Sequence, residues 1–254
     1  MTTTGNTVAV ALSKASQEPD SRESQCKEMA KRNEENRKNA PGKLEATKQN
    51  EHRKSYVDKI DESLDKLDGG GMTFASAFVD VGIGGGERLR GMMSACSDAK
   101  TQECLQDALV PGGTDEMRAG TQTILCEDAA YAHPGGGFGS HAEAKILNEV
   151  TSMAKGRNLA GGSIMFRTDW HYDSPKGGTY SSGMPCAVCY RAMCAATDCG
   201  IDIYLCNAKS EPVRFNPDGD CKKEKKKSDP RDDSWDRLDR AMGEDPLTGR
   251  GVVL

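Results

Sequence analysis

The chain has 254 residues, with 34 lysine and arginine against 39 aspartate and glutamate side chains, 36% hydrophobic residues and 5% aromatic ones. That length suits one domain of roughly 120 to 180 residues with polar extensions. No apolar run approaches the roughly 20 residues that cross a bilayer, and a net charge of -5 excludes a chain-wide attraction for nucleic acid, so any such contact must be local.

Residues Met1 to Asp20 lack the cationic start and apolar core of a secretory signal, so Sec export is not expected. The expectation is a soluble protein in the cytoplasm of a producing or target cell, or one secreted by a non-Sec route. From Ser21 to Leu67 charged and amide residues dominate. Apolar positions there look too sparse for a buried face, which predicts a solvated helix or helical hairpin. The run Asp68 to Met72 (DGGGM) breaks it. The chain therefore divides into a polar helical extension or connector over 1–71, a compact domain with a preceding helical segment over 72–215, and a charged tail over 216–254.

Within the compact unit, Thr73 to Ile83 is a short apolar stretch, and helices are expected around Glu87 to Ala95 and Thr101 to Leu109. Thr121 to Ala132 reads as a strand, followed by the glycine-rich loop HPGGGFGS. His141 to Ala154 reads as a helix because Ile146, Leu147, Val150 and Met153 recur at helical spacing. Then come a buried strand at Gly161 to Trp170, a long loop at Asp173 to Ser182, a helix at Pro185 to Thr197 and a strand at Gly200 to Asn207. Alternating strands and helices predict an α/β fold whose mixed, mostly parallel sheet is flanked by helices. Ligands in such folds bind at the carboxyl ends of the strands. The tail holds a lysine run, Lys222 to Lys227, read as a solvated loop, and an acidic helix near Asp232 to Met242.

Two short strings carry the chemistry: His141-Ala142-Glu143 opening the first of those helices, and Pro185-Cys186-Ala187-Val188-Cys189 opening the second. An imidazole and two thiolates are strong zinc ligands, and three protein ligands leave a fourth tetrahedral position for water, as a catalytic site requires. Cys186 and Cys189 are three apart and so share one face of a helical turn, where the helix N-terminus favours thiolate. Glu143 is placed to take a proton from such a water and return it to a leaving group. The ten cysteines do not look spread as a disulfide framework, and their clustering between Cys186 and Cys206 points to metal first. Cys96 and Cys104 are candidates to pair in an exported chain, and Cys126 reads as a core residue. The competing reading is a noncatalytic, zinc-stabilised binding module closed by Cys194, Cys199 or Cys206 as fourth ligand. Trp170, His171, Tyr172 and Tyr180 flank the loop before the cysteines, where aromatic side chains serve either as core filling and loop anchors or as faces for stacking, while His133 and Phe138 sit in the glycine loop.

The pairing of H-x-E with P-C-x-x-C between Thr121 and Asn207 resembles the zinc-dependent cytidine deaminase-like superfamily. The resemblance implies that family's three-layer fold, one catalytic Zn2+ held by His141, Cys186 and Cys189, and Glu143 as proton shuttle. It further implies that the Ala142 backbone N–H contacts the base carbonyl and the Met184 carbonyl the attacked amine, with Phe138, Trp170 and Tyr180 as further substrate contacts. Met184 stands where free-nucleoside and tRNA adenosine deaminases usually carry an acidic residue. The glycine loop, HAE-x-K-x-L and MPCAVCYRAMCA are most similar to deaminase domains of bacterial polymorphic toxins. That likeness implies conversion of cytosine to uracil in nucleic acid, single-stranded DNA first, and an immunity protein as partner. A nucleoside, nucleotide or RNA deaminase, including one for adenosine, is the alternative with the same chemistry.

Overall fold

The computed structural model describes residues 21–48, 61, 64–65, 67, 72–97, 122–126, 129–132, 141–154, 159–173, 179–215, 238 and 241–242. The expected helix at Thr101 to Leu109, the glycine loop with His133 and Phe138, and the lysine run lie outside these residues. The elements are α1 (Arg22–Lys48), β1 (Thr73–Gly84), β2 (Glu87–Cys96), β3 (Gln122–Cys126), β4 (Ala129–Ala132), α2 (Ala142–Ala154), β5 (Ser163–Asp173), β6 (Thr179–Ser182), α3 (Ala187–Asp198), β7 (Asp202–Cys206) and β8 (Pro212–Arg214). The main sheet runs β2-β1-β5-β7-β8, with β6 also pairing β5, and β3 and β4 form a separate antiparallel hairpin.

The expected α/β character is present, but the sheet is not mostly parallel. Only β5 and β7 pair in parallel among the described strands, while β1–β2, β1–β5, β5–β6 and β7–β8 are antiparallel. The difference starts at Glu87 to Ala95, where a helix was expected and β2 forms instead. Gly85 and Gly86 both adopt positive φ and turn the chain back, so β2 zips onto β1 from Glu87 to Cys96. Leu89, Met92 and Met93 fit helical spacing, but in the strand Leu89 and Met93 share one face and Met92 takes the other, and the long neighbouring strand decides between the two arrangements. Likewise, Thr179 to Ser182 is a strand rather than loop, because it finds its partner in the end of β5.

Both faces of the sheet are buried. On β1, Ala75, Ala77, Val79 and Val81 point into one core with Phe166 of β5, Ile203 and Leu205 of β7, and Ile146, Leu147 and Val150 of α2. The intervening Phe78 joins Met165, Tyr204 and Cys206 on the opposite face, against Cys26 and Met29 of α1. Over Arg22–Lys48 the polar N-terminal segment is therefore a packed layer rather than a solvated helix. Cys26, Met29, Asn33, Asn36, Ala40 and Leu44 are buried at helical spacing along one side of α1. The polar members of that stripe are satisfied. Asn33 donates to the carbonyls of Phe74 and Arg167 and accepts from the Ser76 hydroxyl, and Arg37 pairs with Asp169.

Covalent bonds reinforce the arrangement. Cys26 of α1 and Cys206 at the end of β7 form a disulfide across 180 residues of sequence. Cys96, Cys194 and Cys199 are also disulfide-bonded, so the cysteines include a disulfide set that their spacing did not reveal. The tail also returns to the molecule: Leu238 and Met242 are helical and buried in the α2–α3 core.

Candidate metal centre

Both chemical strings stand at helix starts. Lys145 N–H donates to the His141 carbonyl, so His141 immediately precedes α2. Tyr190 N–H donates to the Cys186 carbonyl, and Cys186 caps α3 with its sulfur accepting from the Cys189 N–H at 3.4 Å. Pro185 precedes that cap, two positions before the first helical residue Ala187. The two helix starts meet. His141 Nδ1 lies 3.2 Å from Cys186 Sγ and 3.5 Å from Cys189 Sγ, and the three donor atoms lie within 4.8 Å of one another. Such a nitrogen and two sulfurs at mutual ligand spacing can hold a metal ion.

The electrostatics suit a cation. The Cys186 thiol is pushed down to about 4, first by its hydrogen bond from Cys189 and also by His141, against the opposing effect of burial. Cys189 moves the other way, because it donates to Cys186 and is buried beside negative charge. Burial alone would lower the His141 pKa, but the hydrogen bond and charge of Cys186 outweigh it and leave it raised. Negative charge thus gathers where a divalent ion would neutralise it.

Glu143 adjoins this group and is 1% exposed. Its Oε2 accepts from Cys189 Sγ at 3.5 Å, and its Oε1 accepts from the Thr168 hydroxyl at 3.4 Å. Burial, then the charge of Cys186, pushes the carboxyl up to about 7 in spite of His141. A carboxyl in that range exchanges protons readily at neutral pH.

The fourth-ligand alternatives are removed by oxidation. Cys206 is joined to Cys26, and Cys194 and Cys199 are disulfide-bonded, whereas Cys186 and Cys189 are free. None of the three sulfurs proposed to close the site is available to a metal. Among the described residues, His141, Cys186 and Cys189 are the only cluster of metal-ligating side chains that the geometry brings together.

The remaining expected contacts fall unevenly. Ala142 opens α2, where a backbone N–H has no intrahelical acceptor, and Met184 is buried in the segment leading to Cys186. Trp170 is 7% exposed, and its indole Nε1 has no hydrogen-bond partner among the described residues. His171, Tyr172 and Tyr180 take their places in the β5–β6 ladder, where Tyr172 registers with Tyr180. The side chain that sequence reasoning missed is Thr168. It belongs to no motif, and only the hydrogen bond to Glu143 in the first turn of α2 brings it to the site.

Searches of family models, curated proteins and solved structures find no match to this chain.

Proposed function

We propose that the protein is a zinc-dependent hydrolase that converts cytosine to uracil in nucleic acid, single-stranded DNA first. The observation that carries this reading is the pairing of a three-donor group, with Cys194, Cys199 and Cys206 oxidised, and a buried carboxyl at its edge. Zinc held by one histidine and two thiolates supplies a water of lowered pKa and a Lewis acid. The chain's own residues do the rest. Glu143 takes the proton of the attacking water on Oε2 and delivers it to the departing amine, and the Ala142 N–H, at the start of α2, is assigned to the base carbonyl.

Disulfides support the biological half of the proposal. They persist in oxidising surroundings, which fits a chain that leaves its producing cell and acts as a toxin on a competitor, with an immunity protein protecting the producer. The test is direct. Zinc-loaded protein is incubated with a cytosine-containing single-stranded oligonucleotide, with the matching duplex and RNA, and with cytidine and deoxycytidine. Ammonia and uracil should appear first from the single strand. Release only from free nucleosides would replace the toxin reading with a housekeeping deaminase, and inosine from adenosine substrates would change the base. No release from any of them would remove the deaminase reading.

A further inference from the structure

We propose that Thr168 is the positioning residue for Glu143, fixing which carboxylate oxygen faces the reacting atoms. This rests on the reading of Glu143 as proton carrier, and its evidence is the geometry of β5. Successive side chains of that strand alternate between the sheet's two faces. Arg167 and Asp169 point to the α1 side, where Arg167 donates to the Cys206 carbonyl and Asp169 pairs with Arg37. Thr168 therefore points with Ile164 and Phe166 toward α2 and α3, and it is 1% exposed.

A hydroxyl on that apolar face is out of keeping with its neighbours. Its cross-strand partner is Ala75, and the residue two before it on the same face is Phe166. Valine has the same shape and would bury there without a polar group to satisfy. The hydroxyl instead meets the Glu143 carboxyl, donating to Oε1. The two oxygens of Glu143 are thereby divided: Oε1 is anchored to the sheet, and Oε2 turns to the sulfur of Cys189 at the metal-ligating group. A carboxylate on α2 alone could rotate about its last torsion, which is broad for such groups. The bond from β5 restricts that rotation and holds Oε2 toward the place where a proton is exchanged.

The experiment compares the full chain with Thr168→Val, Thr168→Ser and Glu143→Gln, all zinc-loaded. The first readout is infrared difference spectroscopy, in which the Glu143 carboxyl band is identified by its loss in Glu143→Gln. Thr168→Val should move that band, and Thr168→Ser should leave it at the native position. The second readout is turnover of the single-stranded oligonucleotide. Thr168→Val should lower kcat about tenfold with KM and zinc content unchanged, the effect of one lost hydrogen bond to a charged group, and Thr168→Ser should restore it. An unmoved band in Thr168→Val, or a serine variant no better than valine, overturns the proposal. So does a moved band with native kcat. Were the native protein to turn over nothing, the deaminase reading alone would fail, and the band would still decide whether Thr168 holds Glu143.

Discussion

Replacing Glu143 with glutamine is expected to cut turnover by about 10²–10⁴-fold, the usual contribution of a positioned general acid–base, while zinc remains bound at native stoichiometry. Glutamine keeps the shape of the side chain and can still hydrogen-bond Thr168, but it cannot exchange a proton. None of the three metal donors is touched, because Glu143 approaches Cys189 without belonging to the His141–Cys186–Cys189 group. The pH dependence of stability gives a second view of the same substitution. In the metal-free protein the Glu143 pKa rises from 4.5 to about 7, mainly through burial, so the fold prefers the protonated form. Its ionisation penalty is absent below the unfolded value, grows between the two, and is fully present above about 7. Glu143→Gln should therefore be at least as stable as the metal-free native protein at pH 8, with the advantage fading toward pH 4.5. Equilibrium denaturation across that range checks it. Native turnover in this variant would remove Glu143 from the chemistry.

The second large effect concerns α1. Removing the Cys26–Cys206 disulfide with paired alanine substitutions should cost about 2–5 kcal/mol, the range found for native disulfides. The bond closes 180 residues of sequence, which for a chain with no other link would restrict the unfolded state by about 5 kcal/mol. The bonded Cys96, Cys194 and Cys199 already shorten the free chain, so the loss falls inside that range rather than above it. The His141–Cys186–Cys189 group lies at the starts of α2 and α3, and α1 packs on the other face of the sheet. Turnover per folded molecule should accordingly stay near native, while the denaturation midpoint falls. An unchanged midpoint would mean that α1 is held by its buried stripe and the Asn33 and Arg37 contacts alone.

The parts of the fold written in local pattern were legible. The helical spacing of Ile146, Leu147 and Val150 located α2, and Pro185 with Cys186 located the start of α3, because capping and periodicity are short-range. Strands β5 and β7 were legible as apolar runs bounded by glycine. The rest depended on partners far along the chain. Strand β2 looked helical because Leu89, Met92 and Met93 fall at helical spacing, and pairing with β1 was needed to make it a strand. The buried face of α1 escaped notice because its stripe includes Asn33 and Asn36. Such residues bury only when distant carbonyls such as those of Phe74 and Arg167 await them.

The candidate site divides the same way. His141, Glu143, Cys186 and Cys189 belong to strings whose chemistry is legible at fixed spacing, and the structure brings the three donors together. Thr168 had no string, and its pairing with Glu143 arises where the first turn of α2, a helix that packs mainly on β1, β2 and β3, reaches β5. Disulfide connectivity is likewise absent from spacing. Knowing that Cys206 is bound to Cys26 changes how the free Cys186 and Cys189 are read.

His141, Cys186 and Cys189 are expected to hold one metal ion and to leave a position for solvent. X-ray absorption at the zinc edge, with metal analysis on the intact oxidised protein, tests it most directly. One zinc per chain is expected, with two sulfurs at about 2.3 Å, one histidine nitrogen at about 2.0–2.1 Å and one oxygen from water. A third sulfur or a second histidine in that shell, or a protein whose Cys186 and Cys189 are joined to each other and bind no zinc, would contradict it.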